Sequence, residues 1–259
     1  MERNIWIAVV VVFFGGIGYL YYLKSQTVPP PAVTAAPAPA PAAAAPAQPE
    51  IQNPVPEPAT PGAVPALESS DDQIRAALEA VFGRKNIKSM LVPQHVVQKL
   101  VAVIDSLDRK PVPLTTWPVE HVPSLPLVDQ QGEQLFLSPK NADRYHPYVA
   151  ALQEADARAI AEIYLRHYPL FQQAYEELGY PGQYFNDRLV QIIDHLLATP
   201  DVVGPIPLVR PKVLYQFADP VLEQSSSGRK MLIRIGAANA AVVKGKLREI
   251  RAVIARKKN

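Results

Sequence analysis

The 259-residue chain has no cysteine. That excludes a disulfide framework, a thiolate zinc site, a cysteine nucleophile and lipid attachment through sulfur. The familiar catalytic signatures are missing as well: there is no HExxH, no GxSxG, no P-loop and no GxGxxG. The five histidines, His95, His121, His146, His167 and His195, contain no pair spaced four apart, so no helix face offers two imidazoles to a metal. No metal and no cofactor is expected. A basic stripe is also lacking. The formal net charge is +2, and Leu67 to Val243 carries 17 Lys and Arg against 20 Asp and Glu, which leaves it about 3 units acidic. Nucleic acid is therefore not an expected partner.

What the chain does have is proline, unevenly placed. Nearly half of its 28 prolines lie between Pro29 and Pro65. Ahead of them, after residues 1–4, Ile5 to Leu23 reads IWIAVVVVFFGGIGYLYYL without a charge. At 1.5 Å per residue these ~19 residues span a hydrocarbon core of about 30 Å. Trp6 marks one edge and Tyr19, Tyr21 and Tyr22 the other, as in an interfacial aromatic belt. The run is longer than the ~7–15 apolar residues of a cleaved signal peptide, and no small-x-small site follows it directly. A retained transmembrane anchor is expected. Arg3 and Lys24 flank it almost symmetrically, so charge sets orientation only weakly. The linker that follows supports a cytoplasmic N-terminus and a periplasmic soluble domain, by analogy with envelope tethers.

Residues 24–66 form that linker, rich in Ala and Pro. Proline removes N–H donors and fixes φ, so neither helix nor sheet propagates. A disordered, extended spacer is expected, reaching on the order of 120 Å at about 3.1 Å per residue.

Residues 67–259 are expected to form one mainly α domain with one short β-hairpin. Ser69 and Ser70 followed by Asp71 and Asp72 suit a helix start, with Ile74, Leu78, Val81 and Phe82 on one face and Gly83 at its end. Pro93 suits the first turn of a helix carrying Val97, Leu100, Ile104 and Leu107. Segments 125–128 and 134–137 around Gly132 read as the hairpin. A helix begins near Pro147, and Asp156 caps the next, whose apolar face runs from Ile160 to Leu178. Pro169 should kink or split that helix. Phe185, Leu189, Ile192, Ile193 and Leu196 define another helix. Asp219 and Pro220 pair as cap and first turn. The last helix, about 237–256, carries Val243, Leu247, Ile250 and Ile254 on one seam, with a basic final turn. That basic face is expected to be solvated, with membrane-surface contact as the alternative.

Two groups of residues are candidates for chemistry or recognition. Asp187, Gln191 and Asp194 share a helix face. Paired carboxylates can serve as acid and base, but a solvated or ion-paired face is the expectation. Arg210 and Lys212 bracket Pro211 within apolar neighbours, ahead of Tyr215. If that segment is buried, its guanidinium needs an internal carboxylate (Asp187 or Asp194 before Asp219) or an anionic ligand. The tyrosines are expected in the core with polar tips, some lining a groove.

The segments LFQQAYEELGYP, YFNDRL, IDHLLATP, LVRPKVLYQFADP and KLREIRAV resemble the proteobacterial family known as domain of unknown function 3014. The resemblance covers about Ser70 to the C-terminus and implies an envelope protein with one membrane segment, a variable proline-rich linker and this domain. It implies no reaction, cofactor or catalytic residue. The expected function is a tethered binding or scaffold module for an envelope protein or polymer. The alternative is a periplasmic hydrolase.

Overall fold

The computed structural model describes residues 50–58, 63–109, 117–120, 122 and 125–255. The chain divides into two units, Met1–Ala47 and Gln48–Asn259, and every described residue belongs to the second. The expected anchor over Ile5–Leu23, residues 1–4 and most of the linker lie outside the described residues. Among the described residues no helix is long and apolar enough to cross a membrane.

The apolar stripes become helices at the expected places. α1 (Asp71–Phe82) ends at Gly83, whose φ of +81° suits a residue without Cβ and which also opens α2 (Arg84–Met90). α3 (Val96–Ser106) starts three residues beyond Pro93 rather than with it. The reason is Asp71: its two carboxylate oxygens accept the backbone N–H groups of His95 and Val96, each at 2.8 Å, and so fix where α3 begins. Ser70 is no side-chain cap. It has helical φ and ψ and its hydroxyl donates back to the Leu67 carbonyl.

Strands β1 (Val128–Gln131) and β2 (Gln134–Leu137) make a hairpin, pairing Val128 with Leu137 and Gln131 with Gln134. The second strand lies where expected, but the first begins at Val128 instead of ending there, which leaves Gly132 and Glu133 as the turn. A 3-10 stretch, Pro139–Tyr145, leads into α4 (His146–Glu154). Asp156 caps α5 (Ala157–Arg166) by accepting the Arg158 N–H. The long apolar face does split: α6 (Tyr168–Glu177) begins with Pro169 in its first turn, where a missing N–H costs nothing. Then follows α7 (Phe185–Leu197).

The hairpin expected to stand alone belongs to a four-stranded antiparallel sheet in the order β1-β2-β3-β4. β3 (Pro207–Val209) pairs Leu208 with Leu135, and β4 (Gln216–Phe217) pairs Phe217 with Leu208. Leu208 and Phe217 face inward onto Ile233, while Val209 and Gln216 face out. Alternation over two or three residues is too short to register as a period in the sequence. α8 (Pro220–Gln224) is capped by Asp219 as expected. The sequence reading passed over α9 (Ser227–Arg234), a helix capped by Ser226. α10 (Ala237–Ile254) closes the fold and packs against α4, α5, α7 and α9.

The core centres on α3, α5, α6 and α7. Val97, Val101, Ala161 and Phe185 are fully buried, and Phe171 stacks on Phe185 at 5.9 Å. The end of the expected spacer joins this core. Val55 and Val64 pack against it, and the Asn186 side chain donates to the Asn53 carbonyl.

Candidate functional site

The helical stripes do not close on one another completely. Ile74, Val97 and Ile254 are buried, but others from the same stripes line a cavity of about 470 Å³. Leu78 and Phe82 reach it from α1, Leu100 and Ile104 from α3, and Ile160 and Ile163 from α5. Leu189 and Ile192 of α7, with Leu247 and Ile250 of α10, complete the opposite wall. Two tyrosines approach it, as expected of a groove, but their polar tips are occupied. The Tyr164 hydroxyl donates to Asn186 Oδ1 at 3.0 Å and that of Tyr148 to the Glu120 carbonyl at 3.3 Å. Burial raises the Tyr164 pKa well above its ordinary value, so the ring stays neutral. Among the described residues no charged side chain lines the cavity, and the hydroxyls of its two tyrosines are engaged. It can hold a hydrocarbon.

A second concavity, about 540 Å³, lies between the sheet and the α9–α10 junction. Both cationic residues of its lining are already engaged. The Arg234 guanidinium lies over the Phe217 ring, 5.2 Å from its centre. The Lys244 ammonium, almost wholly buried, donates to the Thr199 carbonyl at 2.6 Å and to Asp201 at 2.7 Å. The hydrogen bond from Lys244 lowers the Asp201 pKa. This lysine pins the loop after α7 rather than waiting for a ligand.

The largest ionic cluster of the described residues joins α3 to α7. Asp105, 3% exposed, accepts from Arg188 and from Arg109, each at 2.8 Å, and from the Tyr180 hydroxyl. The Arg188 side chain is 11% exposed and bonds both oxygens of Asp108 at 2.8 Å. Burial alone would raise the Asp108 pKa, but the Arg188 hydrogen bonds and charge outweigh it and hold the carboxyl low. Burial likewise works against charge on Arg188, and its two carboxylates reverse that. The sequence reading missed this cluster. Its signal was Asp105 and Asp108, three apart at the end of α3 beside Arg109.

His195 and Ser226 have the outline of an activated nucleophile, Nε2 to Oγ at 2.7 Å. The geometry is structural. Ser226 Oγ accepts the Arg229 N–H as the cap of α9, and neither residue lines either cavity. Burial, then the charge of Arg229, lowers the His195 pKa, which favours the neutral imidazole in this contact. Among the described residues no cluster of three or more His, Cys, Asp or Glu could hold a metal ion.

The residues singled out in the sequence separate. Asp187 receives the backbone N–H groups of Gln52 and Asn53, at 3.1 and 2.6 Å, and clamps the incoming chain. Asp194 takes both arms of Arg251, at 2.5 and 2.8 Å, as the ion-pair reading of that face expected. Gln191 accepts from Arg188. Arg210 meets neither aspartate, and the expected internal carboxylate is overturned. Its segment is not buried: Val213 and Leu214 are 70% and 65% exposed. The guanidinium donates to the Val213 carbonyl at 3.2 Å and lies 5.2 Å from the centre of the Tyr215 ring. Apolar neighbours misled because β3 and β4 bury only Leu208 and Phe217, and the turn between them runs outward. Arg210, Lys212 and Tyr215 thus stay together on one hairpin, away from Asp187 and Asp194.

No curated protein and no solved structure matches the chain. A family model does match, over residues 96–251. Those residues run from the first turn of α3 to the last turn of α10, and so take in the sheet, the Asp105–Arg188 cluster and most of the cavity wall. The chain belongs to the family described as protein of unknown function, DUF3014.

Proposed function

We propose that the chain is a single-pass inner-membrane protein whose tethered, periplasmic helical domain is a binding module for an extended hydrocarbon chain. The observation that carries this reading is the apolar cavity. Protein interiors are close-packed, with few voids larger than a water. The cavity opens to solvent, so its half-buried walls, Leu78, Leu100, Leu189 and Leu247 among them, meet water that finds no hydrogen-bonding partner there. A hydrocarbon that covers them gains roughly 25 cal/mol per Å² of apolar surface removed from water. A cavity of ~150 Å³ takes one benzene ring, so by proportion 470 Å³ takes on the order of 18 carbons. The apolar run Ile5–Leu23 supports a membrane nearby as the source.

Binding is favoured over hydrolysis by the engagement of the candidate acids. Asp187 and Asp194 each have both oxygens in hydrogen bonds, and neither lines the apolar cavity.

The test uses the full chain in lipid nanodiscs with a 16-carbon fatty acid carrying a photoactivatable diazirine. Crosslinks are expected on α3, α7 and α10, competed by unlabelled palmitate. Ala161→Phe, which places a ring at a buried position on the cavity wall, should abolish them without loss of helicity. Crosslinks that ignore both competitor and substitution would remove the ligand reading. A reporter active only outside the cytoplasm, fused after Asn259, tests the orientation. A stable but inactive fusion places the domain on the other side.

A further inference from the structure

The turn between β3 and β4 reads Arg210-Pro211-Lys212-Val213-Leu214-Tyr215 and projects from a fixed base. Leu208 and Phe217 are buried against Ile233. The Phe217 N–H is held by Glu223 at 3.0 Å, and Glu223 in turn by Lys230 at 2.8 Å. Above this base the chain exposes what a fold ordinarily hides. Val213 is 70% and Leu214 65% exposed, side by side at the tip. Arg210 and Lys212 are exposed beside them, and among the described residues neither meets a carboxylate. The Arg210 guanidinium instead lies over the Tyr215 ring and donates to the Val213 carbonyl, which shapes the tip.

We propose that this tip docks on an anionic lipid surface, with Val213 and Leu214 entering the acyl boundary and Arg210 and Lys212 at the level of the phosphates. The partner is fixed by chemistry in layers. Two cations call for anions, two aliphatic side chains call for hydrocarbon one side-chain length further on, and a tyrosine suits the boundary between them. An anionic bilayer presents those layers in that order. Apart from Arg210 and Lys212, Leu67–Val243 carries 15 Lys and Arg against 20 Asp and Glu, about 5 units acidic, so along this segment an anionic surface meets a locally basic point at the tip, the other basic stretch being α10. The base is rigid, so docking orders few groups that were not already ordered. This contact is independent of the apolar cavity, in which no residue of the tip takes part.

The absence of cysteine makes the test direct. Leu214→Cys in the full chain takes one environment-sensitive dye, and Glu154→Cys, exposed at the end of α4, serves as the control. Both are reconstituted in nanodiscs with phosphatidylglycerol or with phosphatidylcholine alone. Blue-shifted emission is expected at position 214, only with phosphatidylglycerol, and with quenching by lipids brominated near the headgroup. It should weaken when salt rises from about 0.1 to 1 M and the Debye length falls from about 10 to 3 Å. Arg210→Glu with Lys212→Glu should lower the docked-to-free ratio by at least ~30-fold, since each cation contributes about five-fold at such a surface. Emission equal to that of the control in both kinds of disc overturns the proposal. So does a shift that needs added envelope protein and ignores lipid charge, which would make the tip a protein contact.

Discussion

Two arginines divide this domain between them. Arg188 stands in an ordinary amphipathic helix, among residues that suggest a solvated face, and is nearly buried with two aspartates. Arg210 stands among valine, proline and leucine, where burial is the natural reading, and lies exposed against a tyrosine. The difference teaches that the polarity of sequence neighbours reports burial only where the backbone period is known. On α7, Arg188 is carried toward the end of α3. On the β3–β4 hairpin the inward positions are Leu208 and Phe217, and everything between them leaves the sheet.

The largest expected effect breaks the buried side of this comparison. Arg188→Ala leaves Asp105 and Asp108 with only the half-exposed Arg109 as a cation. It should cost about 3–5 kcal/mol, read as a large drop in melting temperature. Arg188→Lys keeps a charge but loses the fork that reaches two carboxylates, and should recover only part. If Arg188→Ala melts like the parent chain, the cluster is solvated and the contrast with Arg210 disappears.

Packing around the same junction gives the next effect. α9 lies so close to the end of α3 that a Cβ at Gly228 would meet the Leu107 carbonyl oxygen at 2.9 Å and Leu196 Cδ2 at 2.6 Å. The Gly228 N–H donates to that same carbonyl, so the helix cannot simply slide away. Gly228→Ala should cost about 1–3 kcal/mol by overpacking, measured by denaturant unfolding. An unchanged midpoint would mean that the junction yields more easily than its geometry suggests.

Acidification sharpens the comparison without a large substitution. Burial and Arg229 lower the folded pKa of His195 from 6.5, with Arg188 adding to the depression and Asp108 opposing it. Between the folded value and 6.5 the unfolded chain holds more protons, so stability rises with pH there and falls as pH drops below 6.5. Asp108, whose folded pKa lies below 3.8, contributes stability above 3.8 that is lost as pH falls through the folded value. Melting should therefore begin to fall just under pH 6.5 and fall again in strong acid. His195→Gln should remove the first decline and spare the second. A first decline that survives in His195→Gln belongs to another group.

The smallest effect belongs to the exposed arginine. Arg210→Ala removes one hydrogen bond to a carbonyl and one stacking contact at the surface, and should move stability by no more than about 0.5 kcal/mol. A loss of several kcal/mol would restore the internal partner that the geometry denies.

The sequence by itself determined most of the helices, though not α2 or α9, and several of their ends. Asp156 and Asp219 cap where a short acceptor precedes an apolar run, Gly83 and Gly179 end helices, and Pro169 divides one. These are local matters, settled within one or two turns of chain, which is why they are legible. The hairpin around Gly132 is legible for the same reason. Tertiary structure alone decided the rest. Strands of two and three residues exist only because β2 and one another supply their partners. Asp105 meets Arg188 across 83 residues, and Asp187 meets Asn53 across 134, distances at which spacing carries no signal. The stripes of Leu78, Leu100, Leu189 and Leu247 were legible as apolar faces. Whether they would meet or stand apart around a cavity depended on helix separation, set jointly by every side chain at each crossing and written in no single segment.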